Sequence, residues 1–373
     1  MKILIINQHM ADALGGSETQ CDLIAKELYS RGHDVSYAAV DGSDNHRYSD
    51  FPYSIYPLNL KNNDLESFLR KHTPDIIYWR YNKNFLRKSV RVFGLMNIPF
   101  VFAISHINDT KRFSYKPVPI GSLKAIPKAV AKITLQMLRS AWNYSAIRKS
   151  NAVTSNNKSF LKKLTHDERF GIWNAVNLAS TQFNWPRPYI CWVANIKAEK
   201  RPEKFIWIAK QISKHVPNVD CLMVGPVRQD TYTSTIQRAC KDHANFHYLG
   251  PKKPEEVNGI LAESLCLVHT CAPEGFPNIF IQAWSQVIPT ITLDFDPDGL
   301  IANEKLGFVS GNDDQMLEDI LCILKEEEIR SAIGHRARNF ARYNFSVDRL
   351  GDEVEKVFID TINRYSSEHC GPE

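Results

Sequence analysis

The chain has 373 residues, of which 43% are hydrophobic and 23% are charged, and its formal net charge is +5. This length favours two domains, and the composition excludes a disordered or low-complexity protein. No run of eighteen apolar residues occurs, and the first apolar run, Ile3 to Ile6, is too short for a secretory signal. The eight cysteines include no Cys-x-x-Cys pair. We therefore expect reduced thiols in a cytoplasmic protein that neither spans a membrane nor is exported by a signal peptide.

Short apolar strands alternate with helical patterns along the chain. In the first half the predicted strands are 3–6, 35–40, 76–79, 100–104 and 152–154, and the predicted helices are 17–31 and 85–96. In the second half the predicted strands are 190–193, 221–224, 246–249, 265–268 and 290–293, and the predicted helices are 203–214, the stretch after Pro277, and 347–362. The alternation predicts parallel strands joined by crossover helices, hence an α/β protein with two doubly wound sheets.

The domain organisation follows from a break in this pattern. Residues 184–188 contain two prolines and little periodicity, which indicates a linker. We expect a first domain at 1–183, a second at 184–345, and a C-terminal helix at 346–373 that packs back toward the first domain. Ligands bind α/β sheets beyond the carboxyl ends of the strands, so two such domains predict a cleft between those ends.

A glycine turn follows the first predicted strand. The strand leads through Asn7 to Gly15 and Gly16, which open the first helix. Glycine lets the backbone approach a phosphate closely, and the start of a helix attracts anions. The turn matches neither the Gly-x-Gly-x-x-Gly pattern nor a Gly-Lys-Ser phosphate loop. By itself it indicates a tight turn more strongly than a phosphate site.

Cationic residues follow the first strand of the second half. Lys197, Lys200 and Arg201 lie between the strand at 190–193 and a helix that begins near Pro202. Cations at a strand end can bind a diphosphate. Exposed surface lysines and arginines are an equally good interpretation of this loop alone.

The segment from Glu274 to Gln282 runs from an acidic, glycine-containing turn into an apolar helix pattern. Pro277 suits a first helical position, and the amides that follow favour an anion such as a phosphate. Glu274 precedes the helix, where a carboxylate can accept hydrogen bonds from a hydroxyl-rich substrate. Gln282 returns to about the same face two turns later. A buried helix after a polar turn explains the pattern equally well.

Positive charge is concentrated in the first half of the chain. Residues 1–180 hold 25 Lys and Arg against 14 Asp and Glu, and the segment from Lys111 to Lys149 holds nine basic residues and no acidic one. Apolar residues spaced by three and four predict an amphipathic helix entered at Pro127: Leu123, Ile126, Val130, Ile133 and Met137. A separate stripe is basic: Lys124, Lys128 and Lys132.

Two interpretations of this basic helix remain open. Its apolar face can join the core while the lysines are solvated, as most charge runs are. Alternatively, the helix contacts an anionic membrane surface or a lipid-phosphate acceptor. Nucleic acid is not expected as a partner, because the chain has no recognition motif and few aromatic residues among these charges.

A metal site is not expected either. The stretch from Asp294 to Gly299 contains Asp-x-Asp and resembles the opening of a calcium loop, but its twelfth position is Lys305 instead of a bidentate glutamate. A turn is the favoured interpretation. His243 and His247 flank Phe246 without a third ligand nearby in the sequence. No cofactor other than a substrate nucleotide is predicted.

Taken in order, these segments resemble glycosyltransferase family 4. The shared positions are Gly15-Gly16, His106, Asn174 to Asn177, Lys200-Arg201-Pro202, Gly225 and Glu274 to Gln282. The resemblance covers nearly the whole chain. It implies two facing Rossmann-like domains with an interdomain cleft, the architecture called GT-B. It also implies a retaining, metal-independent, hexosyltransferase-type enzyme that uses a nucleotide sugar.

The resemblance further implies roles for the matching residues. Glu274 matches the first glutamate of the Glu-x7-Glu motif, which binds the hydroxyls of the donor sugar. The turn that meets the diphosphate matches Phe276, Pro277 and Asn278. Lys200 matches the lysine that neutralises the leaving diphosphate.

Further roles carry over to both domains. Gly16 matches the glycine that approaches the diphosphate from the first domain. His106 matches a histidine near the reacting centre, and Gly225 lies near the nucleotide.

Two positions depart from the family pattern. Asn195 stands where the family usually has an arginine, so Lys197 or Arg201 would have to supply that charge. Gln282 replaces the glutamate that binds the ribose, and its carbonyl can still accept a hydroxyl hydrogen bond, although a weaker one.

The sequence therefore predicts transfer of a sugar to a hydroxyl acceptor, a glycan or a glycolipid, on the inner face of a membrane in polysaccharide assembly. A sugar-nucleotide epimerase and a non-catalytic binding protein of the same fold are the alternatives.

Overall fold

The computed structural model describes residues 1–13, 15–43, 46–62, 64–116, 118, 126–164, 166, 168–176, 178–271 and 276–369. The chain forms two compact units. The first combines Met1–Asn174 with Val347–Glu373, and the second is Ala175–Ser346. The structure thus divides the chain between residues 174 and 175 and between residues 346 and 347. The sequence led us to expect divisions between residues 183 and 184 and between residues 345 and 346. Residues 184–188 belong to the second unit, where the Trp185 indole donates to Asp220 Oδ2 at 2.8 Å.

The first unit contains a seven-stranded parallel sheet in the order β3-β2-β1-β4-β5-β6-β7. Its strands are β1 (Lys2–Asn7), β2 (Asp34–Val40), β3 (Ser54–Leu58), β4 (Ile76–Trp79), β5 (Phe100–Ile104), β6 (Ala152–Ser155) and β7 (Arg169–Gly171). The four central strands are almost fully buried, which explains their continuous apolar sequences.

Helices cover both faces of this sheet. They are α1 (Gly16–Ser30), α2 (Asp64–His72), α3 (Leu86–Leu95), α4 (Ile126–Ile147), α5 (Lys158–Leu161) and α13 (Val347–His369). The core on one face includes Trp79 and Phe93, together with residues of α2 and α4. On the other face α13 packs against α1, and the ring centroid of Phe358 lies 5.6 Å from that of Tyr78.

The second unit contains a six-stranded parallel sheet in the order β10-β9-β8-β11-β12-β13. The strands are β8 (Tyr189–Val193), β9 (Asp220–Val224), β10 (Phe246–Tyr248), β11 (Leu267–His269), β12 (Thr290–Thr292) and β13 (Gly307–Val309). The helices are α6 (Pro202–His215), α7 (Thr231–Asp242), α8 (Pro254–Ala262), α9 (Asn278–Ser285), α10 (Leu300–Asn303), α11 (Asp313–Lys325) and α12 (Glu327–Asn344). Trp192, Phe205 and Ile320 belong to the core on one side, and α9 contacts both α8 and α12.

These two sheets confirm the predicted α/β class with two Rossmann-like, doubly wound domains. Each sheet reverses its strand order at one place. In the first unit the reversal lies at β1 and β4, and in the second at β8 and β11. Such switch points open a crevice beyond the carboxyl ends of the two strands, which is where doubly wound sheets bind ligands.

No described helix is long and apolar enough to cross a membrane. The seven described cysteines are free thiols, and five of them are buried.

Candidate functional site

The loops after β8 and β9 are joined beyond the edge of the second sheet. Ala194 N donates to Val224 O at 3.1 Å, and Ile196 N to Pro226 O at 2.9 Å. Arg228 N then donates to Ile196 O at 2.9 Å. These bonds continue the strand pairing into the loops, so the loop backbone at the switch point is held in place.

This joining of the loops brings Arg228 to Asn195. The Arg228 Nε donates to Asn195 Oδ1 at 3.4 Å. Both residues are exposed, so the guanidinium remains accessible to solvent. Asn195 is the position where the family pattern has an arginine, and the sequence analysis named Lys197 or Arg201 as substitutes. The structure adds Arg228 as a third cation, and nothing in the sequence pattern indicates that it pairs with Asn195.

Gly225 ends β9 in a conformation that only glycine adopts easily. Its φ is 136°, and a Cβ at this position would lie 1.9 Å from Ala194 O. The tight approach of the two loops therefore requires glycine here. The Tyr248 hydroxyl donates to Gly225 O at 2.8 Å and holds the turn from the side of β10.

Lys200 and Arg201 form the turn that leads into α6. Thr270, which follows β11, donates its hydroxyl to Lys200 O at 2.8 Å and accepts from the Trp192 indole at 2.9 Å. Arg201 has φ 47°, and its guanidinium donates to both carboxylate oxygens of Asp294 at 2.7 and 3.0 Å. Its charge is thus paired, which makes it a poorer substitute for the missing arginine than Arg228.

The start of α9 lies beyond β11, across the switch point from the loop after β8. Pro277 is the N-cap of α9, with φ −72° and ψ 119°, and Asn278 is the first helical residue. The prediction that Pro277 occupies the first helical position was therefore wrong by one residue. Phe276 is buried against Trp284 and Phe345, which anchors the turn. Glu274 lies outside the described residues.

Gln282 is held by an amide relay within the second unit. Asn258, which is almost fully buried, donates its Nδ2 to Ala179 O at 2.7 Å. A backbone carbonyl only accepts, so this bond fixes Asn258 with its Oδ1 facing Gln282. Gln282 Nε2 donates to that Oδ1 at 2.8 Å. The Gln282 carbonyl oxygen therefore points away from Asn258, and within the described residues it accepts no hydrogen bond.

The aspartates between Asp294 and Gly299 have structural partners. Asp294 pairs with Arg201, and Asp296 accepts from the amides of Ile301 and Ala302 at 2.8 and 3.1 Å, so it caps α10. Residues 297–299 form a short 3-10 turn. Among the residues that the structure describes, no group of three or more His, Cys, Asp or Glu side chains is arranged to hold a metal ion.

In the first unit, Gly15 and Gly16 begin α1 directly beyond the end of β1. Gly15 is the N-cap with an extended backbone, and the Glu18 carboxylate lies over this helix start, since a Cβ on Gly15 would lie 2.3 Å from Glu18 Oε2. Asn7, at the end of β1, donates its Nδ2 to Ser17 Oγ at 3.1 Å. This bond uses an acceptor of Ser17 and leaves the hydroxyl hydrogen to point elsewhere.

His106 follows β5 and is exposed at the start of a 3-10 turn, residues 107–110. Its Nδ1 accepts from Asn108 N at 3.1 Å, so the proton of the neutral ring is on Nε2, which is presented as a donor. Beneath it Asp109 accepts from the amides of Ser105 and His106 at 3.2 and 3.0 Å. Burial raises the pKa of Asp109, and these amide bonds oppose that rise.

Lys83 fixes the same turn from the loop after β4. Its backbone amide donates to Asp109 Oδ1 at 3.2 Å, and its ammonium donates to Asn108 O at 2.7 Å and to Lys111 O. Burial lowers the pKa of Lys83 to about 8. Lys83 and Asp109 could not be identified from the sequence pattern, because their roles depend on contacts between separate loops.

The basic helix α4 has a different orientation from the one its sequence suggested. Ile133 and Met137 are half-buried, but Val130 is 55% exposed and Ile126 37% exposed. Leu123 and Lys124 lie outside the described residues. A second row of apolar side chains on α4 faces solvent: Leu135 at 48%, Leu138 at 60% and Trp142 at 60% exposure.

Loop residues extend this exposed row. Ser114 N donates to Ser140 Oγ at 3.0 Å, and Lys116 N to Gln136 Oε1 at 2.8 Å, so the loop is bound along α4. The loop carries Phe113 and Tyr115, which are 50% and 55% exposed. Lys128, Lys132 and Arg139 are exposed on the same helix. We call these exposed apolar residues, namely Phe113, Tyr115, Val130, Leu135, Leu138 and Trp142, the apolar strip.

One protein-family model matches the second unit. Residues 176–340 match the family model described as glycosyl transferases group 1. The match covers less than half of the chain but nearly all of the second unit, including Asn195, Lys200, Gly225 and Gln282. A comparison with curated protein sequences finds no match.

Several solved structures share the fold of the whole chain. Alr3699/HepE from Anabaena, solved in complex with UDP, has a TM-score of 0.75 and 16% identity over 96% of this chain and 100% of its own. A glycosyltransferase from Rickettsia africae has a TM-score of 0.74 and 16% identity over 97% and 98% of the two chains. A sucrose-phosphate synthase from Thermosynechococcus elongatus has a TM-score of 0.71 and 14% identity over 98% and 100%. At these identities the likeness concerns the fold, which is that of GT-B proteins.

Proposed function

We propose that this chain, whose second unit is a glycosyl transferases group 1 domain, is a retaining hexosyltransferase that moves a sugar from a nucleoside diphosphate to a hydroxyl acceptor. The observation that carries the proposal is the switch point of the second sheet. There the start of α9, whose N-cap is Pro277, a lysine turn and an accessible arginine follow neighbouring strands within the residues matched by the family model.

The diphosphate is proposed to bind at this switch point. Phe276, Pro277 and Asn278 lead into α9, whose dipole favours an anion. Lys200 and Arg228 add positive charge, and Arg228 donates to Asn195, which stands where the family pattern has its arginine. When the bond between sugar and diphosphate breaks, negative charge develops on the diphosphate. Fixed cations and amides then stabilise that charge without reorganisation.

The nucleoside is proposed to lie against Gly225 and Gln282. Glycine at 225 lets the loops after β8 and β9 approach closely, because a Cβ there would lie 1.9 Å from Ala194 O, and this close approach shapes the end of β9 against which the nucleoside is proposed to lie. The Gln282 carbonyl is turned away from Asn258 by the relay to Ala179, so it can accept a hydrogen bond from a ribose hydroxyl. Gln282 thereby performs part of the role of a glutamate, with a weaker, uncharged acceptor.

The sugar and the reacting centre are assigned to Glu274 and His106. Glu274 is assigned, from its match to the family pattern, to accept hydrogen bonds from hydroxyls of the donor sugar. His106 presents an Nε2 donor, because its Nδ1 accepts from Asn108 N. The same resemblance assigns Gly15 and Gly16 to the donor phosphates. No step in this scheme requires a metal ion.

The acceptor is proposed to be carried by an anionic membrane on its cytoplasmic face, as in glycolipid or polysaccharide assembly. The apolar strip supports this, since its exposed aromatic and aliphatic side chains are flanked by Lys128, Lys132 and Arg139. Interfacial helices combine apolar and basic faces in this way, and each cation near an anionic surface adds to binding.

The donor site is tested first by thermal shift. The full chain is screened with nucleotide sugars, and the best donor is titrated against Lys200→Met and Arg228→Gln. Each variant removes a charge-assisted contact, so we expect donor affinity to fall about tenfold or more. Arg238→Gln, at an exposed helix position paired with Asp242, is the matched control and keeps full affinity. If no nucleotide sugar shifts the melting temperature at millimolar concentration, the result favours the alternative that the chain is a non-catalytic binding protein of the same fold.

Product analysis tests the reaction itself. The expected product has the sugar on a hydroxyl acceptor with the anomeric configuration of the donor, which NMR identifies. The same yield is expected in the presence of a chelator. Conversion of the donor sugar without any acceptor would instead indicate an epimerase, and an inverted product would refute retention.

A further inference from the structure

A cavity of about 700 Å³ lies within the first unit, at the amino ends of β6 and β7. One wall comes from the two chain segments that lead into these strands, and the other comes from the last turns of α13. We call it the amino-edge cavity. The strands of this sheet are parallel, so Gly16 and His106, which follow strands, lie at the opposite edge. The cavity is therefore separate from the residues assigned to sugar transfer.

Hydrogen bonds hold the two walls of the amino-edge cavity. His166 Nε2 donates to Ser150 O at 2.8 Å, and its Nδ1 accepts from Glu168 N at 3.1 Å, so the ring joins the segments before β6 and β7. Arg364 of α13 pairs with Glu168 and donates its Nε to Asp360 O at 3.3 Å. The walls are thus held by contacts within the protein, as in most small-molecule sites, whose volumes are about 300 to 1,000 Å³.

Positive charge is in excess around the amino-edge cavity. Four of its lining side chains are permanent cations and two are carboxylates: Arg148, Lys162, Arg169, Arg364, Glu168 and Glu368. Glu168 is already paired with Arg364. Within the described residues no carboxylate pairs with Arg148, Lys162 or Arg169. An anion that enters the cavity therefore meets three cations whose charge is not already neutralised.

The position of these cations at helix ends does not account for all of their donors. Basic side chains are favoured at helix C-termini, and Arg169 donates to Leu161 O and Leu164 O, beyond α5, at 3.2 and 2.9 Å. Both bonds use Nη1, so the other guanidinium nitrogens have no partner in the part of the chain that the structure describes. The side chains of Arg148 and Lys162 donate to no carbonyl there either. These donors are available to a ligand.

Helix α13 adds two buried donors at the same cavity. Thr361 is 1% exposed, and its hydroxyl has no hydrogen-bond partner among the described residues. The Nη2 of Arg364 is also buried and has no partner in the same part of the chain. Buried polar atoms almost always have a partner, either in the protein or in something that it binds. Both residues line the cavity, so a ligand inside it can supply the acceptors that these donors lack.

We propose that the amino-edge cavity is a second ligand site, which binds a free small molecule that carries a phosphate group. Arginine donates parallel hydrogen bonds to phosphate oxygens and lysine adds a point charge, so Arg148, Lys162 and Arg169 suit a doubly charged anion. Leu164 and Tyr365 also line the cavity, next to which the organic part of such a molecule would lie. The proposal requires neither the donor site nor sugar transfer.

Such a ligand would link two distant parts of the chain. The walls of the amino-edge cavity come from residues before β6 and β7 and from α13, which follows the second unit in sequence. A molecule that binds the folded first unit, and not the unfolded chain, raises stability as its concentration rises. The site would therefore couple the concentration of a phosphorylated metabolite to the docking of α13.

Calorimetry with inorganic pyrophosphate on the full chain tests the site. The double variant Arg148→Gln with Lys162→Gln should bind pyrophosphate in the cavity about tenfold or more weakly than wild type, because charge-assisted contacts are lost. The matched control is Lys149→Gln with Lys163→Gln, whose side chains are exposed sequence neighbours that do not line the cavity.

The control double variant should bind pyrophosphate as the wild type does. It has the same net charge as the cavity double variant, and both keep the proposed donor site, so a difference between them belongs to the cavity. Equal pyrophosphate binding by the two double variants would overturn the proposal.

Replacing Glu368 should give a shift in the opposite direction. Its carboxylate is exposed near the end of α13 and repels an anion in the cavity, so Glu368→Gln should strengthen pyrophosphate binding severalfold. If the cavity double variant fails to fold, this variant still tests the site. An unchanged affinity in Glu368→Gln would then count against the proposal.

Amide hydrogen exchange locates the bound pyrophosphate. Exchange should slow in α5 and in the last turns of α13, and this slowing should be lost in the cavity double variant. Slowing confined to the second unit, or to the residues around Gly16 and His106, would place the ion elsewhere and refute the proposal.

Sedimentation with phosphatidylglycerol vesicles identifies the source of the phosphate. A free metabolite predicts that the two double variants sediment equally, because they carry the same charge. Weaker sedimentation of the cavity double variant than of its control would identify a lipid headgroup and overturn the assignment to a free small molecule.

Discussion

His9 is a buried residue whose hydrogen bonds fix its protonation state. Its Nδ1 accepts from Ala11 N at 3.1 Å, and its Nε2 contacts the Tyr53 hydroxyl at 3.0 Å, which donates to Asp22 at 2.7 Å. A second proton would have to enter at Nδ1, where it would oppose the Ala11 amide. Burial lowers the pKa of His9 from 6.5 to about 4. The neighbouring carboxylates of Asp12 and Asp22 only partly offset this effect.

We expect His9 to make the protein less stable in mild acid. Between pH 6.5 and about 4 the unfolded chain binds a proton at this histidine that the folded chain does not, so the free energy of unfolding falls as the pH is lowered. The lowered pKa corresponds to at most about 3 kcal/mol across this window. Denaturant titrations at several pH values check this against His9→Asn, whose slope should be smaller. Parallel slopes for the two proteins would contradict the prediction.

The effect of having glutamine instead of glutamate at position 282 depends on the neighbouring Asn258. A glutamate at 282 cannot donate to Asn258 Oδ1, and Asn258 cannot rotate without losing its bond to Ala179 O. We expect Gln282→Glu to destabilise the second unit by about 1 to 3 kcal/mol, because two acceptors then face each other. Donor affinity should fall for the same reason.

The double variant Asn258→Ser with Gln282→Glu should recover much of this loss, since a serine hydroxyl can donate to the carboxylate. Gln286→Glu, the same change four residues later at the end of α9, is the control and should be nearly neutral. Melting temperatures and donor titrations give both quantities. A more stable and tighter-binding Gln282→Glu would show that the relay does not orient residue 282.

Site residues could be predicted from the sequence where they follow a strand. Gly15, His106, Lys200 and Gly225 each lie just beyond a predicted strand, and the sheets bring strand ends to one edge. Arg228 also follows a strand, but it was not predicted as a site residue because its position beside Asn195 depends on a hydrogen bond between two loops. Asn258 was missed for a similar reason, since its burial and its hydrogen bond from Gln282 appear only in three dimensions.

At the scale of elements, buried strands and long helices could be predicted, but short or polar elements could not. Continuous apolar runs marked β1, β4, β5 and β8 correctly. Among the missed elements were β3, which contains Pro57, and α7, whose only buried side chains are Ile236 and Ala239. In such elements tertiary contacts decide the structure, because the local sequence carries little periodicity.

The membrane contact proposed for α4 can be tested by substitutions in this one helix. If the apolar strip enters a membrane interface, replacing one of its side chains by a charge should abolish binding, because a buried charge outweighs the apolar contact. We expect Leu138→Glu to reduce sedimentation with phosphatidylglycerol vesicles at moderate salt by at least tenfold. Trp142→Ser should have a smaller effect in the same direction.

Leu95→Glu is the matched control for α4. Leu95 is 76% exposed at the end of α3 and lies outside the apolar strip, so its replacement should leave vesicle binding unchanged. Neutral vesicles should bind the wild type weakly, since the basic residues then lose their partners. Equal sedimentation of Leu138→Glu and wild type would remove the membrane proposal.

At the scale of the whole molecule, the chain returns to its first unit at the end. The C-terminal helix α13 follows the second unit in sequence but packs on α1. Arg31 donates to Asp352 and Glu355 at 2.6 and 3.0 Å. The first unit is therefore built from two distant parts of the chain, and its stability should depend on residues that follow the second unit.

Phe358→Ala tests this dependence. Phe358 is fully buried on α13 beside Tyr78 of β4, so the change should cost about 3 to 5 kcal/mol through lost burial and the cavity it leaves. Amide hydrogen exchange should accelerate in β1 and β4, while β8 and β9 keep their protection. Phe280→Ala, an equally buried phenylalanine on α9, is the matched control and should show the reverse pattern. Equal loss of protection in both sheets would mean that the two units unfold as one, against the division observed here.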